Sequence, residues 1–283
     1  MYQATSVTEL HQYVQHWKDH GQSIAFIPTM GNLHNGHISL LEKGQSLCDR
    51  CICSIFVNPM QFGPNEDWDH YPRTLAADIE KLEAVDCDLV YLPSASELYP
   101  EGLDKISQVS VTDLTDNYEG AHRPGHFTGV ATVVLKLFNI VKPDVSVFGK
   151  KDYQQYRVVN KMVADFNLEV QIIGQETTRE TSGLATSSRN QYLDSQQLET
   201  AAIIYQQLQQ TARAIEQGER DFKALENAAI ARLDDAGFDT NYFVVCNAAT
   251  LLPASADDRD LVVLVTAALG PTRLLDNIEI SLW

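Results

Sequence analysis

The sequence predicts an α/β protein: a Rossmann-like parallel-sheet domain over residues 1–176, followed by a smaller α+β domain over 177–283. Three observations lead there. Short apolar runs alternate with helical patterns between residues 24 and 173, the texture of βαβ units whose strands are buried on both faces. Two of these runs pass through a glycine-bearing turn straight into a helix. After Gln175 the alternation stops, and long helical stretches precede the last strands, as expected of an α+β unit.

Composition narrows the class. A chain of 283 residues with 44% hydrophobic content supports one large or two ordinary domains with a real core. No apolar run reaches the 18 or so residues of a membrane span. The opening Met-Tyr-Gln-Ala-Thr-Ser lacks the parts of a secretory leader. Five cysteines without an export signal predict reduced thiols and a cytoplasmic location. Cys51 and Cys53 lie in a strand-like run and read as small core hydrophobes rather than metal ligands. A net charge of −17 argues against nucleic acid, which selects basic surfaces. It also makes any anion site depend on locally gathered cations, for which Arg123, Lys150, Lys151, Arg179 and Arg189 are the candidates.

In order, Ser6 or Thr8 caps a first helix through Leu10, Val14 and Trp17 that stops at Gly21. Strand Ile24–Ile27 leads through Pro28 and Gly31 to a helix from about His37 to Leu47, and strand Cys51–Val57 completes the unit. Residues 58–74 form a long irregular segment leaving a strand end, where open α/β sheets bind ligands. A helix carrying Leu75, Ile79 and Leu82 follows, then strand Leu89–Leu92, and Ile106–Val111 alternates like an exposed strand. Val130, Val133, Val134, Leu137, Ile140 and Val141 mark a strong helix ended by Pro143. Strand Val145–Phe148 runs through Gly149 into a helix with Tyr156, Val159, Val163 and Phe166 on one side. Strand Val170–Ile173 closes the sheet. Helices over 195–217 and 221–236 and strands near 241–246, 261–266 and 276–281 make up the remainder.

The first strand–turn–helix junction carries His34 and His37 where the helix starts. A helix N-terminus offers unpaired N–H groups and a positive dipole end, so the junction reads as an anion site. A partial metal site and a plain surface turn are the alternatives, although no third ligand lies within the motif. The second junction adds Lys150 and Lys151 beside Gly149. Residues 177–190 are polar and small, with hydroxyls beside arginine that suit phosphate oxygens.

Taken together, Pro28-Thr-Met-Gly31 with His34-Asn-Gly36-His37, Phe56-Val-Asn58-Pro-Met-Gln61-Phe-Gly63-Pro, Tyr71-Pro-Arg73-Thr, Arg123-Pro-Gly-His126-Phe, Phe148-Gly-Lys-Lys151-Asp152-Tyr-Gln-Gln155 and Ser187-Ser188-Arg189-Asn190 resemble the pantoate–β-alanine ligase family. That family belongs to the HxGH nucleotidylyltransferase superfamily. The resemblance implies the HxGH adenylation fold, ATP and Mg²⁺, and a homodimer. It also implies that pantoate and β-alanine are joined through a pantoyl-adenylate. Met30, Gly31, Asn32, Leu33, His34, Asn35, Gly36 and His37 match its first ATP-binding stretch, with His37 at the catalytic proton donor and His34 and Lys151 beside it. Gly149, Lys150, Lys151 and Asp152 match the second stretch, Lys151 facing phosphates and Asp152 the ribose. Thr178 matches a backbone contact to adenine, and Thr186, Ser187, Ser188 and Arg189 a KMSKS-like phosphate loop. Gln61 matches the glutamine shared by pantoate and β-alanine, Gln155 the second pantoate glutamine, and Asp78 a position linked to the metal. The chain departs from the family where Lys150 replaces a usual Glu, Thr186 a usual Met, Thr178 a usual Val and Ser182 a usual Asp. Rival readings are a nucleotidylyltransferase acting on a phosphorylated acceptor and a nucleotide-binding module without catalysis. Neutral glutamines favour a hydroxy acid over a phosphate, and the intact histidines favour catalysis.

Overall fold

The computed structural model describes residues 1–64, 66 and 68–283. Asn65 and Asp67, which the sequence reading includes in the 58–74 segment, lie outside the described residues. The chain divides into two compact units, residues 1–150 with 155–176, and residues 151–154 with 177–283.

In the first unit β1 (Tyr2–Ala4), α1 (Val7–Asp19), β2 (Ile24–Thr29), α2 (Asn35–Gln45), β3 (Arg50–Ile55), α3 (Leu75–Ala84) and β4 (Leu89–Tyr91) follow one another. Two short helices come next, α4 (Ala95–Leu98) and α5 (Glu119–His122), and then α6 (His126–Val141), β5 (Val145–Gly149), α7 (Tyr153–Asp165) and β6 (Gln171–Gln175). The six strands form one sheet in the order β1-β4-β3-β2-β5-β6, every recorded pair parallel. The chain leaves β2 for β3 on one side and later returns to β5 on the other, so the order reverses at β2/β5. Open α/β sheets bind ligands outside such a switch point, at the carboxyl ends of the strands. The loops after β2, β3 and β5 all leave from that edge.

Sequence explains these elements locally. Ser6 and Glu9 form a reciprocal capping box on α1, a device that satisfies two otherwise orphaned N–H groups. β2 is buried along nearly its whole length, as an apolar central strand should be. α6 is apolar on most of its faces and buries Val130, Val134, Leu137 and Phe138 among others. It stops at Lys142 in a left-handed conformation, because Pro143 cannot continue a helix. Cys51, Cys53 and Cys87 join Ile27, Leu41 and Leu82 in one core cluster, and burial pushes the Cys53 thiol well above its usual range.

Three expectations fail. Tyr2–Ala4 adds an edge strand against β4 that its short, polar sequence does not announce. Ile106–Val111 is not a strand: the Val109 amide donates to the Thr132 hydroxyl of α6 at 2.9 Å instead of to a neighbouring strand. Phe166 is 52% exposed because α7 ends at Asp165, and Val158, Val159 and Met162 form its buried face.

The second unit carries α8 (Ser195–Ala201), α9 (Ile203–Glu216) and α10 (Phe222–Asp235), then β7 (Asp239–Asn247), β8 (Asp260–Leu269) and β9 (Thr272–Ser281). The helical run expected over 195–217 is therefore two helices meeting at Ala202. The strands form an antiparallel sheet in the order β7-β8-β9, and their inner residues share a core with Leu208, Ile215 and Leu233 of α9 and α10.

Candidate active site

The turn between β2 and α2 is tightly specified. Gly31 and Asn32 take left-handed φ values of 80° and 48°. An ideal Cβ on Gly31 would stand 3.0 Å from Ile55 Cγ2 and 3.1 Å from Asp78 Oδ2, so only glycine fits there without displacement. His34 caps α2: its Nδ1 accepts from the Gly36 amide at 3.1 Å, while His37 Nδ1 accepts from the His34 amide at 3.3 Å. The two rings lie 4.1 Å apart between centroids. A ring that accepts at Nδ1 carries its proton on Nε2 when neutral, so both histidines are fixed as Nε2–H donors.

This corrects the expectation that open backbone amides await an anion. The amides of Gly31, Asn32, Leu33, His34, Gly36 and His37 already donate within the turn or to Thr29 and Asp78. Asn35, the remaining residue of the motif, is exposed at the start of α2. The groups this conformation offers a ligand are side chains, the imidazole edges foremost.

Gln61 ends a single 3-10 turn, Pro59–Gln61, that follows β3. The turn packs on α6 where an ideal Cβ on Gly129 would fall 2.3 Å from the Met60 carbonyl oxygen. A chain of hydrogen bonds sets the Gln61 side chain. The Tyr99 hydroxyl donates to Asn58 Oδ1 at 2.8 Å, Asn58 Nδ2 donates to Gln61 Oε1 at 3.1 Å, and Gln61 Nε2 lies 3.1 Å from Met30 Sδ. A residue expected at the acid substrate thus touches one expected at ATP. His126 Nδ1 donates to the Gln61 carbonyl at 2.8 Å, and its Nε2 receives Arg123 Nη1 at 3.2 Å. Burial, with the Arg123 charge, lowers the His126 pKa to about 4. Gln155 is half-buried in the first turn of α7, and no hydrogen bond joins it to Gln61 among the described residues. Rings of Phe62, Trp68 and Tyr71 pack on one another within the 58–74 segment.

In the second unit, Lys151, Ser187 and Arg189 line one cleft of about 360 Å³ together with Arg273 and Asp276. The 178–186 segment closes on itself: the Thr186 amide donates to the Thr178 carbonyl, and that of Glu180 to Leu184. Thr186 is buried and its hydroxyl donates to Glu180 Oε1 at 3.2 Å. Ser187 caps the 3-10 turn Ser188–Tyr192. Arg179 grips Asp276 with two guanidinium nitrogens at 2.6 and 3.0 Å, and its guanidinium carbon lies 3.6 Å from the Tyr205 ring centre. Asn277 Nδ2 donates to the Lys151 carbonyl at 2.8 Å, so β9 fixes both the lysine run and the loop.

Three of the five candidate cations are therefore paired within their own unit. Arg123 Nε meets Glu66 Oε1 at 2.7 Å, Lys150 Nζ meets Glu176 Oε1 at 2.8 Å, and Arg179 meets Asp276. Lys150, where the family usually has Glu, thus has a carboxylate partner on its own unit. Among the described residues the carboxylate recorded beside Lys151 is that of Asp152 at 3.7 Å, and Asp152 itself is exposed. Asp78, expected at the metal, is 1% exposed. Its Oδ1 accepts from Leu33, its Oδ2 from Asn32 and Thr74. Among the described residues no three His, Cys, Asp or Glu side chains are placed to hold a metal, so the residues do not form a cage for Mg²⁺. Sequence reading missed Asn58, Tyr99, Arg273 and Asp276. Asn58 was visible as part of Val57-Asn58-Pro59, whereas the others carry no local signal.

The profile of the Pantoate-beta-alanine ligase family matches residues 3–279. A pantothenate synthetase of Pseudomonas putida (strain W619) is 52% identical over 277 residues, covering 98% of this chain and 96% of its own. One from Alteromonas mediterranea is 49% identical over 276 residues, 98% of each. Among solved structures, pantothenate synthetase from Thermus thermophilus superposes with a TM-score of 0.93 at 38% identity, covering 99% of this chain and 100% of that one. A pantoate-beta-alanine ligase from Francisella tularensis, complexed with beta-gamma ATP and beta-alanine, gives a TM-score of 0.82 at 36% identity, covering 98% and 97%.

Proposed function

On the premise that this chain belongs to the pantoate–β-alanine ligase family, we propose how its residues divide the ATP-dependent joining of pantoate to β-alanine. A carboxylate is a poor acyl donor. A pantoate carboxylate oxygen attacks the α-phosphorus of ATP, the bond to the bridging oxygen breaks and pyrophosphate leaves. The β-alanine amine then attacks the pantoyl-adenylate carbonyl, loses a proton, and AMP departs. Positioning and charge stabilisation supply most of such catalysis. His37 and His34 direct Nε2–H toward the phosphates, where negative charge grows as pyrophosphate leaves. Lys151, Thr186, Ser187, Ser188 and Arg189 meet phosphate oxygens. Asp152 meets the ribose, and the Thr178 backbone the adenine. Gln61 and Gln155 hold pantoate, Gln61 also β-alanine. Magnesium arrives as MgATP, as Mg²⁺ usually binds through substrate phosphates and few carboxylates.

The observation that carries this reading is the turn after β2, where two histidines locked as Nε2–H donors stand at the sheet's switch point. Pantoate-dependent ATP–pyrophosphate exchange tests it. Exchange should require pantoate and not β-alanine. Exchange without pantoate, or none at all despite ATP binding, overturns the adenylate route. A cytoplasmic homodimer completes the reading, and light scattering at about 63 kDa, twice the 31.6 kDa chain, is the expected result. Among the described residues no helix is long and apolar enough to cross a membrane.

A further inference from the structure

Helix α3 holds the ATP turn from both chemical sides of its backbone. Asp78 Oδ1 accepts from the Leu33 amide at 2.7 Å and Oδ2 from the Asn32 amide at 2.9 Å. Thr74, one turn earlier, donates its hydroxyl to the same Oδ2 at 3.1 Å and so orients the carboxylate. One turn later, Lys81 Nζ donates to the Leu33 carbonyl at 2.6 Å. These residues recur at helical spacing, so one rigid face of α3 contacts three consecutive peptide groups. Those peptides adjoin the left-handed pair Gly31 and Asn32, a conformation that L-residues avoid without support.

We propose that Asp78 and Lys81 are positioning residues: they clamp the Asn32–Leu33 backbone so that His34 caps α2 and the imidazoles aim at the phosphates. The inference rests on the reading that this turn holds ATP. It departs from the metal-linked role that the family resemblance gives Asp78. Three of the carboxylate's acceptor positions are filled by the turn and Thr74, and the side chain is sealed from solvent. Its oxygens face polarised N–H groups, and Lys81 reaches the carbonyl of the same Leu33. Aspartate is required here because two N–H donors need two oxygens. Asparagine in either orientation would set an NH₂ group against one of the amides.

The test combines Asp78→Asn and Lys81→Met in the full chain, with the ATP–pyrophosphate exchange assay and hydrogen exchange on residues 31–34. Misplacing reacting groups by about 1 Å costs about a hundredfold in rate. Asp78→Asn should therefore lower kcat/KM for ATP by about that factor, and Lys81→Met, which loses one contact, by about tenfold. Both variants should speed exchange at the Asn32 and Leu33 amides. Neither should change the half-saturating Mg²⁺ concentration or KM for β-alanine. A rate for Asp78→Asn that excess Mg²⁺ restores would make Asp78 a metal ligand and overturn the clamp. Unchanged amide exchange in both variants would also overturn it. Should Asp78→Asn fail to fold, Lys81→Met alone decides between these outcomes. If wild-type protein shows no pantoate-dependent exchange while the amides still respond, the adenylation reading fails and the clamp stands.

Discussion

The turn after β2 and the 178–189 segment, each matched by the family resemblance to an ATP-binding stretch, are held in opposite ways. The turn is shaped from outside: a neighbouring helix grips its amides and carbonyl, and its histidines close on each other. The later segment is shaped from inside, by its own backbone pairs between Thr178 and Thr186 and between Glu180 and Leu184. Arg179 anchors it through Asp276, the Asn277 carbonyl and the Tyr205 ring. A turn held at many points keeps its geometry without a ligand. A hairpin closed by its own backbone depends instead on the root that Arg179 holds.

The largest way to break the comparison is Asp276→Ala. Removing one partner of a buried ion pair leaves the other charge unpaired, at a cost of about 3–5 kcal/mol. Denaturant unfolding of the variant should show that loss, with weakened ATP binding. Replacing both partners, Arg179→Met with Asp276→Leu, should recover most of the stability and not the binding. Recovery of both would mean that the pair has no part in the site.

Acid comes next, and it should strike the first unit. His126 is neutral in the fold with a pKa of about 4, against about 6.5 in an unfolded chain. Between those values the unfolded chain binds more protons, so stability falls as pH drops from about 6.5 to about 4, by about 3 kcal/mol in all. Glu66, held below the usual carboxylate pKa, loses its charge and its grip on Arg123 as pH falls further. Burial and Arg123 set its pKa in opposing directions, burial raising it and the guanidinium pulling it below the usual value. Unfolding free energies from pH 7 to pH 4 should slope steeply in wild type and less in His126→Gln. An identical slope would place the acid sensitivity elsewhere.

The smallest effect belongs to Lys150. Its partner Glu176 has a side chain 78% exposed, and such pairs contribute about 0–1 kcal/mol. Lys150→Met should shift stability by less than about 1 kcal/mol and KM for ATP by less than about threefold, whereas Lys151→Met should cost about a hundredfold or more. A large ATP effect from Lys150→Met would show that this lysine serves the nucleotide rather than its own unit.

Sequence legibility follows the same division. The β2 turn was readable because its signals are adjacent: an apolar strand, a glycine, two histidines at a helix start. The ion-paired state of Arg179 was not, because its partner lies 97 residues away, and charge alone made it look like a phosphate ligand. The contacts of Asp78 were hidden for the same reason, its amide donors being 45 and 46 residues distant. Ile106–Val111 misled in another way, since period-2 alternation reports one buried and one exposed face and not whether a neighbouring strand exists.

The Tyr99–Asn58–Gln61 chain has a grammar as well as a geometry. Each member gives a proton to the next one's oxygen, so reversing the order means flipping both amides at once, with the phenol resisting. With Asn58 already donating to Gln61 Oε1, a ligand at Gln61 would meet its amide chiefly as a donor. An ω-amino acid has two unlike ends. Such a residue would welcome its carboxylate and turn away its ammonium, so the nucleophile would enter facing the right way because of a tyrosine that never meets it.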